Sequence, residues 1–144
     1  MYEYNCTIKR VVDGDTVDID IYLGFDVVLS NQRVRLYGID TPESRTRDLV
    51  EKKYGKAASR FLEKSLEKGA RIKTRKDAKG KYGRILGEFI VYDAETDSYR
   101  SVNQIMIDKH LAVEYYGQSK DDIEAAHIKN RELVEEYLLG DSSE

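Results

Sequence analysis

A chain of 144 residues, 35% of them charged and with a mean hydropathy of −0.63, is one domain by size, with room for a buried core and a strongly solvated surface. No apolar run approaches the ~20 residues that cross a bilayer. The opening Met1-Tyr2-Glu3-Tyr4-Asn5 lacks the basic start and apolar centre of a signal peptide, so the expected location is the cytoplasm unless a leader has been removed.

Residues 4–12 alternate, with Tyr4, Cys6 and Ile8 on one face and Asn5, Thr7 and Lys9 on the other, as in a half-buried strand. The lone Cys6 excludes an internal disulfide and reads as a small buried side chain. Asp13-Gly14-Asp15 reads as a turn, since glycine tolerates positive φ and aspartate tolerates turn geometry. Val17, Ile19 and Ile21 then alternate with Thr16, Asp18 and Asp20 in a second strand. Residues 23–32 read as a loop or extended hairpin around Gly24 and Ser30-Asn31, and Val34 and Leu36 mark a third strand.

Tyr54, Ala57, Ala58, Phe61, Leu62 and Leu66 recur at helical spacing, with Gly69 as the stop. Residues 70–76 predict a fourth strand, 77–83 a glycine-bearing loop and 85–92 a fifth strand. Ser101 and Gln104 fit a capping box opening a short helix through Lys109. Ser119 starts a last helix, with Leu133, Val134, Tyr137 and Leu138 as its apolar stripe and Gly140 as its end. The order predicts an α+β, mainly β fold: a five-stranded OB-type barrel with three helices packed outside it. Residues 1–144 form a single domain on this reading, with barrel and helices in about 5–139 and an acidic tail in 140–144.

The net charge of −3 conceals a segregation. Residues 52–84 carry thirteen Lys and Arg against Glu63, Glu67 and Asp77, a balance of +10, whereas residues 121–144 balance at −6. A basic middle suits phosphate binding, and it equally suits a solvated lysine face on a helix.

Asp15 and Asp40 stand at the ends of β-patterned runs, where two strand ends can meet at one rim of a small barrel. Each alone reads as a turn former; with Arg35 and Glu43 they make a chemical set. Two aspartates and the Thr41 carbonyl supply the hard oxygen donors that Ca²⁺ or Mg²⁺ selects. Glu43 is then left to hold an attacking water, while Arg35 and Arg84 offer planar forks for phosphate. In Lys79-Gly80-Lys81-Tyr82-Gly83-Arg84 the glycines allow close backbone approach and the lysines add point charge, though an ordinary hairpin loop has the same composition. Tyr115 and Tyr116 are candidates for base stacking.

Other patterns fail on their own terms. Residues 93–98 resemble an EF-hand start, but Ser98 stands where glycine is required. His110 and His127 have no Cys or His partners at zinc-ligand spacing. An aspartyl-phosphatase loop at Asp13–Val17 would need a parallel α/β sheet, which this short, β-first chain does not predict.

From about Asn5 to Leu139 the chain resembles the staphylococcal nuclease (thermonuclease) family. The resemblance rests on Asp-Gly-Asp-Thr-Val at 13–17, Arg-Leu-x-x-Ile-Asp-Thr-Pro-Glu at 35–43, Glu-Lys-Lys-Tyr-Gly at 51–55 and Lys-Tyr-Gly-Arg at 81–84. Val102-Asn103 and Leu111-Ala112 also fit. It implies an OB-fold nuclease that cleaves DNA and RNA with calcium at the 5′ P–O bond and leaves 3′-phosphates; separately, the chain is expected to act as a monomer on DNA and RNA, with no membrane partner. By that resemblance Asp15, Asp40 and Thr41 are calcium ligands, Arg35, Glu43 and Arg84 the catalytic set, and Lys81, Tyr82 and Tyr116 substrate contacts. Its departures are a longer 20–34 stretch, read as an extended hairpin beside the site, Gly80 in place of Asp, a long 92–101 connection and the acidic tail. The alternative is a non-catalytic OB module that binds nucleic acid or protein.

Overall fold

The computed structural model describes residues 2–79 and 84–140, the side chains of 76–79 excepted. Strand β1 (Tyr2–Asp13) turns into β2 (Thr16–Gly24), which returns as β3 (Val27–Leu36). The short β4 (Ile39–Asp40) precedes helix α1 (Leu49–Leu66). Next come β5 (Arg71–Lys79), β6 (Ile85–Asp93), β7 (Ser98–Ser101) and helix α2 (Val102–Asp108). The short β8 (Val113–Glu114), helix α3 (Lys120–Asn130) and a 3-10 turn at Glu136–Leu139 are the last elements among the described residues.

β1 pairs antiparallel with β2 and β5, β2 with β3, and β5 with β6. The parallel pairing of β3 with β6, Val34 opposite Ile85 and Leu36 opposite Gly87, closes these five strands into a barrel. β7 lies outside that circuit on β6, so the long 92–101 connection is a hairpin. The architecture is the expected OB-type barrel with three helices.

Alternation drives this closure. Val17, Ile19, Ile21, Val34, Leu36, Ile72 and Phe89 point inward and are almost wholly buried. Ala57, Ala58, Leu62 and Leu66 form the buried stripe of α1, and Val102, Ile105 and Met106 that of α2. The helix starts follow the side-chain caps: Asp48 accepts from the Val50 and Glu51 amides, Ser101 from Gln104 and Ser119 from Asp122. Cys6 is the structural residue expected: its thiol donates to the Ala70 carbonyl at 3.3 Å, and burial pushes its pKa up to about 11.

Three expectations change. α3 ends at Asn130, so the 133–138 stripe is not its continuation. Tyr54 donates to the Arg131 carbonyl at 3.3 Å and Arg60 to the Leu139 carbonyl at 2.6 Å, which ties this stretch to α1. Val134, Leu138 and Leu139 reach the core while Leu133 and Tyr137 stay exposed. Gly14 has no positive φ; its role is close approach, described below. Finally, the extended hairpin turns at 24–27, eight residues along β2 from Thr16, which is roughly 26 Å of strand away from Asp15. It is at the far end of the barrel, not beside the acidic cluster.

Candidate active site

The cluster begins at the β1–β2 turn. A Cβ on Gly14 would lie 2.8 Å from both the Ala58 Cβ and the Thr41 Oγ1, so only glycine lets this turn seat against α1 and the segment after β4. Asp15 is thereby driven inward. Its carboxylate accepts from the Thr16 hydroxyl at 3.0 Å and the Thr41 amide at 3.3 Å. Burial raises the Asp15 pKa above the usual carboxylate range; Arg35 opposes that rise, and Asp13 and Asp40 reinforce it.

Arg35 leaves β3 between two carboxylates. Its guanidinium stands 3.3 Å from Asp15 Oδ2 and 3.4 Å from Asp40 Oδ1, and it also donates to the Leu36 carbonyl at 3.2 Å. Only 15% of the side chain is exposed. The strand beneath it is fixed by the barrel seam. Leu36 N–H donates to the Asp15 carbonyl and Tyr37 N–H to the Gly87 carbonyl, both at 2.8 Å. Asn103, buried at the start of α2, clamps that seam by donating to the Tyr37 carbonyl at 2.9 Å and the Gly87 carbonyl at 3.1 Å. Arg84 directly precedes Ile85, the partner of Val34, so Arg35 on β3 and Arg84 just before β6 flank the same seam.

Asp40 is carried by β4, whose partner is β8, with Asp40 opposite Val113. Its second oxygen, Oδ2, is 2.8 Å from His127 Nε2 on α3. Thr41 is buried, and its Oγ1 has no hydrogen-bond partner among the described residues. Glu43 is exposed, but its backbone is held. Its amide donates to Glu51 Oε2 at 3.2 Å, and a Cβ on Gly55 would come within 2.3 Å of the Glu43 carbonyl oxygen. The 51–55 motif therefore serves to lay α1 on the Glu43 backbone.

Tyr116 is exposed and lines two open grooves beside β8, of about 260 and 610 Å³. The smaller also has Tyr37 and Tyr115 in its wall. Lys81 and Tyr82 lie outside the described residues, as does Gly80. The fold thus brings Asp15, Arg35, Asp40 and Thr41 together, with Glu43 two residues after Thr41. Sequence reasoning missed His127, which is 87 residues from Asp40 and carries no local signal. It also missed Asn103 as a clamp, although a polar residue in a buried helical stripe is a usable cue.

The donor chemistry suits a hard cation. Asp40 sits close enough to Asp15 for its charge to bear on the Asp15 carboxyl, and the buried Thr41 hydroxyl is an orphan oxygen beside them. No three His, Cys, Asp or Glu side chains gather as a metal cage among the described residues. A cation held here would therefore draw the rest of its shell from backbone oxygen or water.

Fold and cluster together define an OB-type barrel with an acid–arginine site at one rim. The chain belongs to the staphylococcal nuclease homologue family, whose model matches residues 33–135. It is similar to a thermonuclease of Staphylococcus intermedius, 45% identical over 80 residues that cover 55% of this chain and 44% of that protein. It is also similar to the endonuclease YhcR of Bacillus subtilis (strain 168), 32% identical over 121 residues, or 79% of this chain and 9% of that protein. A thermonuclease of Staphylococcus hyicus is 34% identical over 85 residues, 58% of this chain and 47% of that protein. The chain spans less than half the length of each. No helix among the described residues is long and apolar enough to cross a membrane.

Proposed function

We propose that the chain is a calcium-dependent nuclease that hydrolyses DNA and RNA phosphodiesters, breaking the 5′ P–O bond and leaving a 3′-phosphate and a 5′-hydroxyl. The observation that carries this reading is the Arg35 fork between Asp15 and Asp40, which gathers residues from three separate segments at one barrel rim. Family membership and the thermonuclease and endonuclease relatives support the same chemistry.

Asp15, Asp40 and an oxygen of Thr41 would hold the ion, which when bound supplies positive charge at the scissile phosphate. Arg35 then trades a carboxylate for a phosphoryl oxygen, and with Arg84 it neutralises charge that develops as water attacks phosphorus. Glu43, exposed three residues after Asp40 on a fixed backbone, takes the proton of the attacking water; the 5′ oxygen departs and is protonated. Lys81, Tyr82 and Tyr116 are assigned to phosphate and base contacts. The active unit is assigned as a monomer acting on nucleic acid in the cytoplasm.

Incubation with single- and double-stranded DNA and RNA, in calcium, magnesium or chelator, with end-group analysis of the products, tests this reading. Calcium-dependent release of 3′-phosphate ends is expected. Binding without cleavage would assign the chain to the non-catalytic OB modules instead.

A further inference from the structure

We propose that His127 is a positioning residue for the cation site, fixing from α3 the carboxylate of Asp40 and thereby setting calcium affinity. The inference rests on the calcium reading above.

Asp40 stands on a two-residue strand, and its side chain is 30% exposed. Nothing in that backbone stops the carboxylate from turning. Two donors do. Arg35 takes Oδ1 at 3.4 Å and His127 takes Oδ2 at 2.8 Å. An ionised carboxylate only accepts, so the ring Nε2–H donates. The two donors are not equivalent. Arg35 is shared with Asp15 and must also serve the phosphate in the proposed reaction. When Arg35 turns to substrate, His127 is the donor left on Asp40, at the oxygen away from Arg35.

The docking of α3 supports a role beyond stability. The helix buries no residue fully. Its half-buried face is Ile123, Ala126, His127 and Asn130, at i, i+3, i+4 and i+7 spacing. Half of that face is polar, and both polar side chains are used: His127 on Asp40, and Asn130 donating to the Ala112 carbonyl at 3.2 Å. A helix held only for packing would present an apolar stripe. The chain's two histidines, His110 and His127, also line one small void of about 10 Å³ with Pro42, Tyr54 and Leu111. His127 is only 12% exposed, so its bond is sheltered from competing water and is strengthened accordingly.

The test is calcium binding by isothermal titration to the full chain without substrate, beside thermal melts in chelator. The proteins are wild type, His127→Ala, His127→Gln, His127→Phe and Asn130→Ala. Partners of metal ligands typically contribute ~10–100-fold in affinity. His127→Ala and His127→Phe should weaken calcium binding by about that factor, and glutamine, which retains an N–H donor, should restore part of it. Phenylalanine keeps the ring volume, so it reads the bond even if the alanine variant does not fold. Asn130→Ala removes the other polar anchor of α3 and should lower the melting temperature with calcium affinity unchanged. Wild-type affinity in His127→Phe, or an equal loss in Asn130→Ala, would overturn the inference. A wild-type chain that binds no calcium would overturn the cation assignment itself, and this inference with it.

Discussion

At one end of the β2–β3 ribbon Thr16 faces Arg35, and charged side chains are drawn into the protein; at the other Gly24 faces Val27, and apolar side chains stand in water. Asp15 and Arg35 are 14% and 15% exposed, whereas Phe25 is fully exposed and Leu23, Val27, Val28 and Leu29 are all substantially so. Both ends run against ordinary partition, but in different ways. Burying Asp15 keeps a carboxylate under strain until a countercharge arrives, and the cluster supplies Arg35 for that purpose. The hairpin tip leaves a different cost, in backbone geometry: Phe25 and Asp26 both adopt positive φ, at 53° and 63°. Function is expected to reside at the first end, and substitutions at the two ends should separate activity from stability.

The largest effect should come from Arg35→Lys. Lysine retains the charge and loses the fork that spans both carboxylates and reaches phosphate, so kcat should fall by about 10³-fold with a much smaller change in KM. Steady-state kinetics on one oligonucleotide would read this. Next is Asn103→Ala, which removes the side-chain donation to the Tyr37 carbonyl and leaves the Gly87 carbonyl with the Tyr37 N–H alone. A loss of about 1–3 kcal/mol in urea unfolding is expected, with a lower kcat because the seam under Arg35 and Arg84 loosens.

Asp15→Asn should act oppositely on stability and activity. Burial raises the Asp15 pKa, so this group stabilises the metal-free protein most at low pH and loses that contribution as pH rises through the raised value. In chelator at neutral pH the asparagine variant should therefore melt above wild type, and the advantage should shrink as pH falls through the acid range. Calcium should no longer stabilise it. The smallest effect belongs to the far end. Phe25→Asn relieves a left-handed backbone in a two-residue hairpin turn and should stabilise by roughly 0.5–1 kcal/mol. Its kcat should stay at the wild-type level; a tenfold change would bring the hairpin into the site.

The placement of the cluster was legible where it is local. Asp15 lies in the turn before β2 and Asp40 ends β4 five residues after Arg35, and alternation placed Val17, Ile19, Ile21, Val34 and Leu36 in the core. What was not legible depends on contacts across the chain. His127 meets Asp40 only because β8 and α3 fold back over β4, and no spacing rule spans 87 residues. The 133–138 stripe has helical spacing, yet Tyr54 and Arg60 hold its backbone in another course. Gly14 was read from turn chemistry, and the reason for glycine there is the approach of Thr41 and Ala58, which sequence does not display. The hairpin was extended as expected, but which end of the ribbon it occupied followed from strand register alone.

The central claim is that the Asp15–Arg35–Asp40 rim is the reaction centre and that its aspartates hold the ion. The most direct measurement is the cleavage rate of one single-stranded oligonucleotide as calcium is titrated, for wild type and Asp40→Asn under the same conditions. Cleavage by wild type should vanish in chelator and saturate with calcium. Asp40→Asn, folded by circular dichroism, should need at least tenfold more calcium for half its maximum, because one of two carboxylate ligands is gone. Equal rates for the two proteins across the titration, or full wild-type activity in excess chelator, would contradict the account.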